Sequence, residues 1–156
     1  MFSEVAGADA WLMTFCTAMV PVLELRGAIP LGVAAGLSMP ATFLAAVLGN
    51  LVPVPFILLL IRRIFLWMRH FPRLGLLIER LERRAHLKGQ TVKKYRTLGL
   101  ILLVAIPLPG TGAWTGALVA DVLDIRFRTA LPAITAGVLI AGALVTMISY
   151  GFTWVF

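Results

Sequence analysis

The sequence predicts an all-α integral membrane protein: an inverted repeat of a re-entrant helical hairpin plus a transmembrane helix, joined by a basic amphipathic cytoplasmic helix. Hydrophobic residues make up 60% of the 156 positions and the mean hydropathy is +0.97, whereas about half of a soluble domain is apolar. Apolar runs long enough for spans of about 20 residues flank one charged segment. Proline and glycine interrupt two of these runs. Residues 1–156 therefore read as a single membrane domain.

The first half of the chain, residues 1–61, predicts a hairpin at about 10–37 and a span at 40–61. Residues 10–20 are apolar or small and would form about 16 Å of helix, roughly half of a hydrocarbon core. Pro21 ends this leg, and 28–37 predicts a second leg of similar length. Two half-length legs that meet at a polar break predict a re-entrant hairpin. Ser38 and Pro40 predict the start of the span, and Pro53 and Pro55 predict a kink within it.

Positive charge is concentrated between the two halves. Eleven of the fourteen Lys and Arg residues lie in 62–97, so the positive-inside rule places this linker in the cytoplasm and both chain termini outside. Apolar residues recur at helical spacing over 74–85 among charged ones, which predicts the amphipathic helix on the inner leaflet. The orientation of the protein in the membrane explains this cluster of basic residues, so we expect no nucleic-acid partner.

The second half, residues 98–156, repeats this order of elements. A short leg at 98–106 is followed by a break at 107–112, a return leg at 113–123 and a span at 129–151, with the hairpin at about 98–124. Matching residues stand 86 positions apart, namely Pro21 and Pro107, Val33 and Val119, Ala34 and Ala120, and Leu37 and Leu123. Because the second hairpin starts from the cytoplasm, the repeats are inverted. Transporters of this plan hold substrate between the repeats.

The first break places Glu24 and Arg26 at membrane depth. Each charge costs roughly 2.5–3.5 kcal/mol at mid-membrane, which indicates a function on a transport path. A buried ion pair without a transport role is the alternative, and it requires an extended chain because residues two apart do not meet on a helix. If Glu24 takes up a proton, this proton uptake can accompany the binding of the transported substrate.

Hydrogen-bond donors around the two breaks predict an anion site. The return legs start at the midplane, so their amide groups and positive dipole ends face the cavity. Gly110, Thr111, Gly112 and Arg26 would complete a phosphate-sized site. Helix packing is the alternative use of glycine, and it is expected for Gly32, Gly36 and Gly116. Trp114 is expected to pack beside the second break or to line it.

Catalytic chemistry finds no support in the sequence. The one cysteine, Cys16, lies in an apolar run, no Cys/His cluster suggests a metal, and Gly110-Thr111-Gly112 lacks the lysine of a nucleotide-binding loop. We therefore expect no enzyme, no cofactor and no metal.

The two breaks and the residues around them resemble those of a known family. The chain resembles the small multidrug export proteins at Pro21-x-x-Glu24-Leu25-Arg26-Gly27-Ala28-Ile29-Pro30 and at Pro107-x-Pro109-Gly110-Thr111-Gly112-Ala113-Trp114. More remotely it is similar to the DedA (VTT, SNARE-associated) membrane proteins, at Pro109-Gly110, Leu118-Val119-Ala120 and Ile125-Arg126-Phe127-Arg128. The DedA resemblance implies opposed re-entrant hairpins and movement of lipid phosphates across the bacterial inner membrane. This chain has Thr111-Gly112 where DedA proteins carry an arginine, and Arg26 could take its place.

The resulting hypothesis is a multi-pass transporter of the bacterial inner membrane. It moves an anionic lipid phosphate, such as undecaprenyl phosphate or a phospholipid, with protons as a possible coupling partner. A lipophilic-cation exporter and a non-transporting scaffold are the alternatives. Membrane lipids are expected partners, and the small size and close-packing glycines favour a homodimer. Predicted transport residues are Glu24, Arg26, Gly27, Pro30, Pro109, Gly110, Thr111, Gly112 and Trp114, and predicted exit residues are Asp121, Asp124, Arg126 and Arg128.

Overall fold

The computed structural model describes residues 2–68, 92–108 and 110–155, and all regular secondary structure within them is helical. The helices are α1 Phe2–Met19, α2 Glu24–Ala34, α3 Met39–Leu51, α4 Pro53–Met68, α5 Val92–Ala105, α6 Ala113–Val122 and α7 Phe127–Val155. The all-α prediction is confirmed. The amphipathic helix predicted over 74–85 lies outside the described residues.

Two helical stretches, Met39–Ile64 and Phe127–Phe152, are long and apolar enough to cross a membrane. They contain the predicted spans. The first stretch is interrupted where α3 ends at Leu51 and α4 begins at Pro53, as the two prolines predict. Ser38 takes the N-cap position of α3 and Pro40 lies in its first turn, although the Ser38 hydroxyl makes no capping hydrogen bond.

Shorter helices precede each candidate span and pack in the same way in both halves. Helix α1 packs on α2 and α3, and α5 packs on α6 and α7. Between the halves, α2 and α3 contact α7, and α4 contacts α6. In each half, two helices separated by a break thus precede a long helical stretch. That these helix pairs are re-entrant hairpins, and the side from which each would enter the bilayer, stay predictions.

Two boundaries in the first hairpin differ from the prediction. Helix α1 begins at Phe2, so the first leg has 18 residues and not eleven. Helix α2 begins at Glu24 and not at residue 28, because a tight turn leads directly into it: the Glu24 N–H donates to the Val20 carbonyl at 3.0 Å. Pro30 therefore lies inside the helix and not in its first turn.

The return legs of both hairpins end with the same capping geometry. Gly36 and Asp124 both have positive φ, 77° and 51°. Next to them the Leu37 N–H donates to Gly32 at 3.0 Å, and the Ile125 N–H donates to Ala120 at 2.8 Å, as in a Schellman motif. These equivalent positions are 88 residues apart. The sequence matches at 86 residues are therefore two residues out of register beyond the break.

The prediction that three glycines allow close helix packing is confirmed for two of them. An added Cβ at Gly32 would lie 2.8 Å from Thr42 Cγ2, and one at Gly116 would lie 2.5 Å from Val104 Cγ2, so both glycines allow close helix contact as expected. Gly36 has nothing within 4 Å of such an atom. The packing prediction for Gly36 is wrong, because its positive φ ends α2 instead.

Candidate functional site

The two chain breaks meet at the centre of the molecule through the carboxylate of Glu24. Only 6% of Glu24 is exposed, and the residue begins α2 with φ +45°. Its Oε1 atom accepts the backbone N–H of Trp114 at 3.2 Å. Trp114 lies in the first turn of α6, where N–H groups have no partner within the helix. Glu24 therefore caps the start of α6 from the opposite half of the chain.

Gly112 makes this contact possible. A Cβ at Gly112 would overlap Oε2 of Glu24, so only glycine leaves space for the carboxylate. Gly112 is the N-cap residue of α6, and it has φ +154° and no side chain to cap the helix itself. A carboxylate at a helix N-terminus is favoured by the amide donors and the dipole. The predicted anion site at this helix is thus occupied by the protein's own anion.

Arg26 binds the second break at Thr111. Its Nη2 atom donates to the Thr111 carbonyl, and it also lies 2.9 Å from Thr111 Oγ1. The same hydroxyl lies 2.7 Å from the Ile106 carbonyl and 2.9 Å from that of Leu108, so it can donate to either. Thr111 therefore both shapes the break and holds the guanidinium.

Glu24 and Arg26 do not form an ion pair with each other within the described residues. Both lie in the first turn of α2, and residues two apart point to different sides of a helix. The carboxylate reaches the amides of α6 while the guanidinium reaches Thr111. The ion pair of the alternative interpretation is therefore not seen among these residues, and a transport role for the two groups stays a prediction.

A small cavity adjoins the Glu24 contact. It offers about 10 Å³ to the centre of a water-sized sphere, and its lining includes Glu24, Arg26, Gly112 and Asn50. Asn50, on α3, is 1% exposed, and its Oδ1 atom has no hydrogen-bond partner among the described residues. The sequence analysis missed Asn50. A lone amide within an apolar span was the signal, since polar groups at membrane depth are costly.

Other predicted transport residues lie around this contact in different ways. Gly27 closes the first turn of α2, where its N–H donates to Leu23 at 2.9 Å. Trp114 contributes its backbone N–H, while its side chain packs against the core and its Nε1 is buried without a partner in the described structure. Pro109 lies outside the described residues.

Two predicted ligand positions do not face the Glu24 carboxylate. Gly110 is exposed with φ +81°, and its carbonyl accepts the Thr115 hydroxyl at 2.9 Å. It contributes turn geometry here, and its contact with a ligand stays a prediction. Pro30 is also exposed, and it is not part of the cavity lining. Pro30 has no N–H to donate to the carbonyl of Arg26.

The predicted exit residues lie at the end of α6 and the start of α7. Asp121 is half-buried, and Asp124, Arg126 and Arg128 are exposed. Burial raises the pKa of Asp121, which lies outside both candidate spans, while the nearby Arg62 guanidinium opposes the shift and Asp124 adds to it. A positive charge of α4 therefore lies near negative charges of the second half at this end of the protein. No group of three or more His, Cys, Asp or Glu suited to a metal occurs in the described part.

Long apolar helices around a buried polar contact between two chain breaks are typical of a helical membrane protein. The family model described as "Putative small multi-drug export protein" matches residues 24–144. The chain belongs to this family, whose description names export. Neither the curated proteins nor the solved structures give a match. The more distant similarity to DedA proteins stays a prediction.

Proposed function

We propose that this protein exports an amphiphile whose anionic headgroup replaces the Glu24 carboxylate at the start of α6. The observation that carries the proposal is the hydrogen bond from the Trp114 N–H to Glu24, in a position that Gly112 keeps open. Amide donors at a helix N-terminus suit a phosphate as well as a carboxylate. A bound internal carboxylate is therefore a model for the bound substrate.

Proton uptake by Glu24 supplies the exchange step. A neutral Glu24 has no charge to place at the positive end of α6, so the amides and the Arg26 guanidinium become available to another anion. The site then carries the full positive charge of Arg26 together with about half a charge from the helix. An anionic lipid phosphate fits this balance, and proton uptake accompanies its loading.

The membrane arrangement belongs to the same proposal. The shared packing and capping of the two halves support an inverted repeat of re-entrant hairpins, with the Glu24 contact near the midplane. The linker 62–97 would then face the cytoplasm of the bacterial inner membrane, with both termini outside. The cavity at Glu24 is small, so this structure corresponds to a closed state of the transporter.

Export of lipophilic cations is the second candidate, and the description of the family favours it. In that case a cation would bind Glu24 directly. Arg26 weighs against this mode, because its guanidinium lies two residues away and would repel a second positive charge.

Transport into liposomes that contain the full chain tests the two candidates. Undecaprenyl phosphate and the lipophilic cation tetraphenylphosphonium are compared under an imposed pH gradient, in wild type, Arg26→Gln and Glu24→Gln. Arg26→Gln should lower phosphate-lipid movement about tenfold or more, because it removes a charge-assisted hydrogen bond worth roughly 1.5–3 kcal/mol. Glu24→Gln should abolish the response to pH.

Arg63→Gln is the matched control, since it removes the same charge at an exposed position in α4. Monodisperse elution of every variant in detergent establishes that it is folded. Saturable cation transport that survives Arg26→Gln, fails in Glu24→Gln and is accompanied by no phosphate-lipid movement would establish the cation exporter. Equal transport of both probes with and without protein would indicate a scaffold.

A further inference from the structure

Asn50 brings a second polar group to the Glu24 cavity. Its carboxamide is almost fully buried, and Oδ1 has no hydrogen-bond partner in the described part of the chain. Buried polar atoms in native proteins are nearly always bonded to protein or to ordered water. A buried hydrogen-bond acceptor without a partner beside a cavity therefore indicates a binding position for a small molecule that can donate a hydrogen bond.

The cavity has the size and the polarity for one water. Its volume of about 10 Å³ for a water-sized sphere is about the minimum that holds a single molecule. Asn50 and Glu24 supply acceptors at its wall, and Arg26 supplies donors, while the remaining wall is largely apolar. Cavities lined only by apolar groups stay dry, but this one is not of that kind.

We infer that Asn50 and Glu24 hold a single water molecule between them, and that this water is the last carrier of the proton to Glu24. In the transfer step, a proton arrives on the water as hydronium. One O–H bond of the hydronium breaks, and a new O–H bond forms on the Glu24 carboxylate. Neutral water and a neutral carboxylic acid remain. Glu24 and Arg26 are the titratable residues that line the cavity.

The second half of the chain offers a substitution that suits this site. The register of 88 residues that relates the hairpin exits also relates Asn50 to Val138, which lines the same cavity and is fully buried. The same register relates Glu24 to Gly112. The three polar side chains of the cavity wall, Glu24, Arg26 and Asn50, therefore all come from the first half, and valine is the residue at the position of the second half that matches Asn50.

Asn50→Val in the full chain tests the inference, which rests on the proposed function for its kinetic part. Under a pH gradient in liposomes with undecaprenyl phosphate as the probe, the maximal rate should fall at least about tenfold, as for loss of a proton-transfer step. The half-saturating concentration should not change, because Asn50 does not hold the headgroup. A general packing defect would alter both values.

Direct observation of the water is independent of transport. A structure of the wild-type protein in lipid, at a resolution that shows ordered waters, should contain one water bonded to Asn50 Oδ1 and absent in Asn50→Val. An empty cavity, a carboxamide bonded to protein, or an unchanged maximal rate would overturn the inference. If wild type shows the water but moves no substrate with protons, the proposed function fails and the relay fails with it, while the water site stands.

Discussion

The contact between Gly112 and Glu24 predicts a large and specific effect of one methyl group. In Gly112→Ala the new Cβ would overlap Oε2 of Glu24, so the carboxylate must leave the start of α6. The hydrogen bond from the Trp114 N–H, a bond to a charged group, is then lost at about 1.5–3 kcal/mol. The favourable interaction with the helix dipole is lost as well, at about 0.3–2 kcal/mol. We expect these two losses to lower the free energy of unfolding by roughly 2–5 kcal/mol, in addition to the cost of backbone strain.

Backbone strain needs a separate control, because Gly112 has φ +154°. Gly110→Ala provides it, since Gly110 also has positive φ but has open space where the Cβ would be placed. This control should cost about 1–2 kcal/mol, the typical cost of a left-handed conformation with a Cβ. The difference between the two variants measures the displacement of the carboxylate.

A double-mutant cycle in detergent is the decisive assay. Glu24→Ala removes the group that the new methyl would meet, so Gly112→Ala should cost clearly less in that background. Unfolding free energies of the four proteins, measured by denaturant titration, give the coupling energy between the two positions. The reasoning is refuted if the two changes are additive, or if Gly112→Ala is no worse than Gly110→Ala.

Three further predictions concern the rest of the fold. Thr111→Val should lower the free energy of unfolding by about 1–3 kcal/mol, because the carbonyls around its hydroxyl and the Arg26 guanidinium lose a partner. Thr115→Val is the comparison variant in the same thermal unfolding measurement. Gly32→Ala should lower the free energy of unfolding by about 1–3 kcal/mol, because the added methyl group overpacks the helix contact. Gly99→Ala, which has open space around its position in α5, should be neutral or stabilising. Equal shifts of the unfolding temperature in the two variants would contradict this prediction. Cysteine at Lys88 should react only from the cytoplasmic side and cysteine at Val155 only from outside, and the reverse labelling would overturn the topology.

Local signals were sufficient for several helix ends, but not for the starts of α1, α2 and α5, which begin at Phe2, Glu24 and Val92 and not at residues 10, 28 and 98. Hydropathy and proline positions predicted the two long helices, the start of α6 and the interruption at Pro53. Helix α2 begins four residues earlier than predicted because it follows directly on a tight turn, in which Glu24 takes a positive φ that is rare outside glycine. The sequence contains no sign of that conformation, which the contacts of its side chain stabilise.

Composition, charge and the breaks in the apolar runs determined by themselves that this chain is a helical membrane protein with two interruptions, the first of which carries charged residues. These properties depend on neighbouring residues only. Tertiary structure decided that Glu24 reaches Trp114, that Arg26 reaches Thr111, and that Asn50 opens onto the same cavity. Contacts between residues about 90 positions apart form only when both halves pack together, because no local propensity brings a carboxylate to the N-terminus of a distant helix.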